Sequence, residues 1–145
     1  PKFAVEKWFS DPLPTENRVC VVEFWATWCG PCIRGIPHLN ELAEHFGDSV
    51  SIIGVTDEPP DKVKNFMKTT SMKYGVATDT KKRMKSTIGV SAIPLSLVVG
   101  SDNTVRWQGH PSKLTPAIIQ RVLNADSGEG IPEKRGRWET SKNHG

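Results

Sequence analysis

The feature that most constrains the fold is an apolar run, residues 21–28, that leads directly into two cysteines separated by Gly-Pro. β-Branched and aromatic residues dominate the run, which predicts a buried strand over residues 19–26. Apolar residues then recur at helical spacing, at Ile33, Ile36, Leu39, Leu42, Ala43 and Phe46. This spacing predicts a helix over residues 29–46. Cys29 and Cys32 are therefore expected where a strand becomes a helix.

The position of these two cysteines has a chemical consequence. Free backbone N–H groups and the positive end of the helix dipole stabilise an anion at the start of a helix, so a thiol there ionises more readily. Cys29 comes first and is expected at the exposed tip, whereas Cys32 lies one turn in and is partly covered. We therefore predict that Cys29 is the attacking thiolate and Cys32 the resolving thiol of a reversible disulfide exchange. Pro31 preorganises the first turn, and Pro37 is expected to kink the helix.

The pentapeptide at residues 28–32, Trp-Cys-Gly-Pro-Cys, resembles the active-site signature of the thioredoxin superfamily. A second match is Ile93-Pro94, at the position where that superfamily has a cis-proline lying against the dithiol. The resemblance implies a thioredoxin-like fold with thiol–disulfide exchange at the two cysteines. It also implies a substrate-binding set, which consists of Trp28, Gly30, Pro31, Ile93 and Pro94.

Glu23 is an ionisable residue in the middle of the predicted strand, between Val22 and Phe24. Burial raises the pKa of a carboxyl group, and such a group beneath the dithiol can accept or deliver the proton of Cys32. Thioredoxins carry an acid at the corresponding place, so the resemblance implies a catalytic role for Glu23. The alternative is that Glu23 pairs with a buried lysine, but the strand predicted at residues 50–56 contains none.

The rest of the chain predicts alternating strands and helices. Strands are expected over residues 50–56, 73–78, 95–99 and 104–108, with the last two joined as an antiparallel hairpin. Helices are expected after the turn at residues 57–61, from a cap at Asp79 or Thr80 to about Ile88, and from a cap at Thr115 through Leu123. Residues 1–18 are expected to pack their aromatic side chains against an edge of the sheet.

Together these elements predict a thioredoxin-like α/β fold, a central mixed β-sheet flanked by helices on both faces. The segment from Thr56 to Pro94 is longer than a minimal thioredoxin fold needs. With the N-terminal extension, this insertion after the second central strand makes the chain resemble the TlpA/ResA branch of the superfamily. Residues 1–126 are predicted to form the thioredoxin-like domain, and residues 127–145, polar with few apolar side chains, a disordered tail.

Composition excludes several classes of function. The 145 residues suffice for one domain with its own core, and 19 Lys and Arg against 16 Asp and Glu give a net charge of +3. Basic residues are scattered apart from a cluster at residues 81–85, so nucleic-acid binding is not expected. No apolar run is long enough to span a membrane, and a monomer is expected.

The compartment cannot be read from the cysteine count. The chain begins at Pro1 rather than Met, so a leader or anchor ahead of it would not be visible. The TlpA/ResA resemblance favours a place outside the cytoplasm, whereas a cytoplasmic thioredoxin would carry the same motif.

Neither a metal nor an organic cofactor is implied. A zinc site needs a second pair of Cys or His ligands, but the third cysteine, Cys20, lies inside the predicted strand, and His38 and His45 have no second C-x-x-C. Cys20 is interpreted as a small buried apolar side chain. The predicted redox group is the Cys29–Cys32 pair itself.

The leading hypothesis is a thiol:disulfide oxidoreductase that acts on protein thiols and disulfides and is recharged by an unidentified electron donor. The Gly-Pro pair resembles reducing members of the superfamily, which favours the reductant direction. A thiol peroxidase on the same fold is one alternative, although Cys29 lacks the Pro-x-x-x-Thr/Ser-x-x-Cys context of peroxiredoxins. A non-catalytic docking module is the other, and the intact dithiol disfavours it.

Overall fold

The computed structural model describes residues 3–126, which contain six strands and five α-helices. The strands are β1 (Lys7–Trp8), β2 (Cys20–Phe24), β3 (Ser51–Thr56), β4 (Gly75–Thr78), β5 (Leu95–Val99) and β6 (Val105–Gly109). The helices are α1 (Gly30–Arg34), α2 (Ile36–Phe46), α3 (Pro60–Met67), α4 (Arg83–Ile88) and α5 (Pro116–Asp126). The tail predicted at residues 127–145 lies outside the described residues.

The strands form one mixed sheet in the order β1-β4-β3-β2-β5-β6. Strands β2, β3 and β4 are parallel, and β5 runs antiparallel to β2, with β6 antiparallel to β5. In this register Glu23 lies opposite Gly54 on β3 and opposite Ser96 on β5. The strand that leads into the cysteines is therefore central, with a neighbour on each side.

Both faces of the sheet are covered, as the alternation of side chains along β2 requires. On one face, Val21 joins a core with α2 and α5, to which the helices contribute Ile36, Leu39, Leu42, Phe46, Ile119 and Val122. On the other face, Val22 and Phe24 pack with Met84 of α4 and with the N-terminal segment. The predicted sheet with helices on both faces is confirmed.

The helix expected over residues 29–46 is two helices, so the prediction of one helix kinked at Pro37 is wrong. The break lies at Gly35, whose N–H donates to the carbonyls of Pro31 and Cys32 at 3.2 and 3.1 Å and ends α1. Proline lacks an N–H and its ring clashes with the preceding turn, so it is tolerated only at the start of a helix. Ending α1 at Gly35 places Pro37 in the first turn of α2.

The N-terminal extension and the insertion meet at the edge of the sheet, where β1 pairs antiparallel with β4. The predicted cap at Asp79 or Thr80 is wrong, because α4 begins at Arg83 with Lys82 at the capping position. The N–H of Asp79 donates a hydrogen bond to the carbonyl of Thr56 and so extends the pairing of β4 with β3. The helix therefore begins further along the chain than predicted. The Asp79 carboxylate still accepts a hydrogen bond from the N–H of Met84, at 2.9 Å.

Candidate active site

The two cysteines lie at the start of α1, as predicted, and form a disulfide with their Cα atoms 5.2 Å apart. Cys29 is the capping residue, and its sulfur accepts a hydrogen bond from the N–H of Cys32 at 3.2 Å. Pro31 lies in the first turn of the helix, where its missing N–H costs nothing. The disulfide is therefore held between the end of β2 and the first turn of α1.

The expectation that Cys29 lies at an exposed tip is wrong for this oxidised form. Cys29 is 5% exposed and Cys32 is 1% exposed. Cys29 is the more exposed of the two, as predicted, but both side chains are buried. Both pack in one cluster with Trp25 and Ala26, which covers the sulfurs. Trp28 lies outside this cluster and is 72% exposed, the only large hydrophobic side chain so exposed in residues 3–126.

Ile93 packs against the cluster that contains both cysteines. The Ile93–Pro94 peptide bond is cis, as the resemblance implied, and it immediately precedes β5. A cavity of about 380 Å³ adjoins the motif at Pro31, and its lining consists of Pro31, Arg34, Gly35, His38, His110 and Ser112. Of the predicted substrate-binding residues, Gly30 and Pro31 thus lie between the two cysteines and Ile93 packs against their cluster.

Glu23 is 1% exposed and lies on the same face of the sheet as Trp25, two residues further along. Burial raises the pKa of its carboxyl group to about 8. Within residues 3–126 no basic side chain forms an ion pair with it, and its Oε2 atom has no hydrogen-bond partner. The alternative of a buried lysine partner is therefore wrong.

A second buried carboxylate, Glu58, was missed by the sequence analysis. It follows β3, and it accepts hydrogen bonds from the N–H and the hydroxyl of Thr27 at 2.8 and 2.7 Å, and from the hydroxyl of Thr56 at 2.8 Å. Thr27 is two residues before Cys29, so Glu58 fixes the loop that carries the motif. The only signal in the sequence is an acid in the turn that follows a buried strand, which does not indicate a partner 31 residues away.

In the part of the chain that the structure describes, no group of three or more His, Cys, Asp or Glu side chains could hold a metal ion. The third cysteine, Cys20, is buried and free. No helix within residues 3–126 has the length and apolar character needed to cross a membrane.

Residues 9–108 match the model of the AhpC/TSA family. This match extends over more than half of the chain and includes the disulfide, Glu23, Glu58 and the cis-proline. The chain belongs to the AhpC/TSA family. The predicted resemblance to ResA proteins is also confirmed by a comparison with known sequences. The chain is 32% identical over 108 residues to the thiol-disulfide oxidoreductase ResA of Bacillus thuringiensis strain Al Hakam, an alignment of 66% of this chain and 62% of that relative.

Solved structures share the fold of this AhpC/TSA family member. A thiol-disulfide isomerase from Corynebacterium glutamicum superimposes with a TM-score of 0.71 at 17% identity, covering 90% of this chain and 97% of the other. A thiol:disulfide interchange protein of the thioredoxin family from Chlorobium tepidum gives a TM-score of 0.62 at 24% identity, covering 74% and 81%. At such identities the likeness confirms the thioredoxin-like fold alone. The chain spans about three fifths of the length of its ResA relative.

Proposed function

We propose that this chain is a thiol:disulfide oxidoreductase that reduces protein disulfides by exchange at Cys29 and Cys32. The observation that carries the proposal is the disulfide between these two residues at the start of α1, in a member of the AhpC/TSA family that is similar to ResA. We propose that the protein acts as a reductant because the Gly-Pro pair between the cysteines resembles that of reducing thioredoxins. No organic cofactor or metal takes part in this reaction, because the dithiol itself carries both electrons.

The reaction begins with the reduced protein. The Cys29 thiolate attacks one sulfur of the substrate disulfide, forms a mixed disulfide and releases the other substrate sulfur as a thiolate. Cys32 then loses its proton and attacks the Cys29 sulfur, which releases the second substrate thiolate and closes the Cys29–Cys32 disulfide. The substrate gains two electrons and the protein loses two. A separate dithiol donor, not identified, reverses this change and restores the reduced protein.

Glu23 is proposed to accept the proton that Cys32 loses. Its burial on the same face as Trp25, which packs with both cysteines, supports this role. A carboxyl group with a pKa of about 8 changes protonation near neutral pH, as a general base and acid must. A carboxyl with its ordinary pKa would be too weak a base to hold the proton.

The substrate is proposed to bind as an extended segment across the exposed ring of Trp28, against Gly30 and Pro31 and beside Ile93 and Pro94. Exposed aromatic side chains are preferred anchors of protein interfaces, which supports a role for Trp28. The packing of Ile93 against the cluster around the cysteines supports the other side of this groove. By resemblance to the TlpA/ResA branch, we propose that the protein works outside the cytoplasm. We also propose that it is a monomer.

A redox titration tests the proposal. The protein is equilibrated in defined thiol buffers, and free thiols are counted with an alkylating tag that adds mass. A midpoint near the thioredoxin value of about −270 mV supports a reductant, whereas one at about −120 to −180 mV indicates an oxidant or isomerase. Failure of the pair to cycle would leave the docking module, and consumption of peroxide by the isolated protein would favour the thiol peroxidase.

A further inference from the structure

Three buried hydrogen-bond donors on the face of the sheet that carries Glu23 lack partners. They are the indole Nε1 of Trp25, the hydroxyl of Tyr74 and the hydroxyl of Ser96, and none of them bonds to another described residue. With the Glu23 Oε2 atom they make up four of the six buried side-chain atoms in residues 3–126 that lack a partner. Buried polar groups are nearly always hydrogen-bonded, so a cluster of unpartnered ones requires an explanation.

The sheet register brings these groups to one place. Ser96 lies directly opposite Glu23 on β5, and Gly54 lies directly opposite it on β3. The side chains of Glu23 and Ser96 therefore project from the same face of the sheet, and a side chain at position 54 would do so too. A Cβ atom on Gly54 would stand 3.0 Å from the Nε1 of Trp25 and 3.3 Å from the Cε2 of Tyr74. Because Gly54 has no side chain, both rings close over it, next to the carboxyl group of Glu23.

The chemistry of the three groups complements a carboxylate. An ionised carboxylate only accepts hydrogen bonds, and an indole N–H and two hydroxyls can all donate. Burial and the charge of Glu23 raise the pKa of the Tyr74 hydroxyl well above its usual range, so this hydroxyl keeps its proton at neutral pH. The surroundings therefore stabilise the ionised form of Glu23 against the burial that disfavours it.

We propose that Trp25, Tyr74 and Ser96 hold an internal water that bonds to the carboxylate of Glu23, and that Tyr74 is a positioning residue for the proton acceptor. A bridging water explains these atoms because all four are buried and none has a hydrogen-bond partner among the described residues. A buried water makes two to four hydrogen bonds to otherwise unpartnered polar atoms, which is the number found here. The inference rests on the proposed exchange reaction, in which Glu23 takes the proton of Cys32.

Other ionisable groups near this face do not replace Tyr74. The side chains that α2 and α5 direct towards it are apolar, and the charged side chains of α1, α2, α3 and α5 are exposed. The Nε2 atom of His38 in α2 forms a hydrogen bond with the carbonyl of Leu114, at 2.7 Å. Glu58 is held by Thr27 and Thr56 beyond the end of β3. The titratable groups that share the surroundings of Glu23 are therefore Tyr74 and the two cysteines.

The test is the titration of Glu23 in the full chain, followed by NMR of carboxyl-labelled glutamate and assigned with a Glu23→Gln variant. Tyr74→Phe removes the hydroxyl and keeps the ring, and we expect it to raise the pKa of Glu23 by about 1, because its anion loses a bonded water. Ser96→Ala should raise it in the same direction by less. Thr104→Val is the matched control, since Thr104 also has a buried, unpartnered hydroxyl but lies directly before β6, away from Glu23 in the sheet register.

The pH profile of disulfide exchange gives the second readout. If the pKa of Glu23 rises by about 1, the ionised fraction at pH 7 falls about tenfold, and the acid limb of the rate profile moves to higher pH. In a Glu23→Gln background Tyr74→Phe should no longer move the profile. We expect the control Thr104→Val to leave the pKa of Glu23 unchanged. If Tyr74→Phe and Ser96→Ala also leave this pKa unchanged, the inference is wrong. The NMR titration does not require catalytic turnover. Failure of this inference can therefore be distinguished from failure of the proposed exchange reaction, in which the wild-type dithiol would not cycle.

Discussion

Glu58 accepts hydrogen bonds from both the backbone N–H and the hydroxyl of Thr27, at 2.8 and 2.7 Å. One buried carboxylate thereby ties the loop before Cys29 to the end of β3. The hydroxyl of Thr56 donates to the same carboxylate at 2.8 Å, so both of its oxygens have partners. This arrangement contrasts with Glu23, whose buried carboxyl group lacks such partners.

Replacement of Glu58 by Ala should destabilise the protein strongly. It leaves the N–H of Thr27 without its acceptor in a partly buried place, and hydrogen bonds to charged groups contribute about 1.5–3 kcal/mol each. We expect the free energy of unfolding in denaturant to fall by about 3 kcal/mol. Glu58→Gln, which keeps one acceptor oxygen, should cost less. Glu41→Ala on the exposed side of α2 is the control and should change it by less than about 0.5 kcal/mol.

Glu23 should make the stability of the oxidised protein depend on pH. The pKa of its carboxyl is raised from 4.5 to about 8, so between these values the unfolded chain has lost a proton that the folded protein still binds. The contribution of Glu23 to stability is then greatest below pH 4.5, falls as the pH rises through this window and levels off above pH 8. At about 1.4 kcal/mol per pH unit, the loss is on the order of 5 kcal/mol.

Denaturant unfolding of the wild type and of Glu23→Gln at a series of pH values measures this contribution. The amide does not titrate, so the difference between the two proteins should change steadily between pH 4.5 and 8 and be constant below pH 4. A wild-type protein whose stability relative to Glu23→Gln is the same at pH 5 and pH 8 would show that Glu23 is ionised in the folded state throughout.

The elements that the sequence predicted correctly are those set by local patterns. The strand before Cys29, the hairpin of β5 and β6 and the start of α5 after Thr115 follow from periodicity, turn residues and a capping side chain. The dithiol and Ile93–Pro94 were found because their motifs are short and specific. What these features share is that neighbouring residues decide them.

The features that were missed depend on residues far apart in the chain. Glu58 and Thr27 are 31 positions apart, and Tyr74 is brought near Glu23 by its packing over Gly54, which lies opposite Glu23. The sequence analysis placed the irregularity at Pro37 itself. A proline disrupts the turn before it, and the helix breaks at Gly35. The burial of Cys29 depends on Trp25 and on the distant Ile93, which no local pattern shows.

Gly54→Ala should destabilise the protein because the added methyl group has no room. Its Cβ atom would lie 3.0 Å from the Nε1 of Trp25 and 3.3 Å from a ring carbon of Tyr74, closer than ordinary contact. Overpacking of this kind costs about 1–3 kcal/mol, measurable by denaturant unfolding. Gly35→Ala is the matched control, because its Cβ would lie 3.5 Å or more from its neighbours and its φ of −83° suits alanine. If Gly54→Ala is as stable as the control, the two rings do not close over β3.

Cys20 should be far less reactive than Cys29 in the folded, reduced protein. Burial raises the pKa of its thiol to about 11, so at pH 8 about one molecule in a thousand carries the thiolate, which is the nucleophilic form. A Cys29→Ser/Cys32→Ser variant isolates Cys20, and its alkylation followed by mass spectrometry should be slower by about 100-fold or more in the folded protein than in denaturant. Cys20→Ser is the complementary control, and its Cys29 thiol should take up the tag in the folded, reduced protein. Equal alkylation rates in the folded and denatured variant would mean that Cys20 is open to solvent and competes with Cys29 for disulfides.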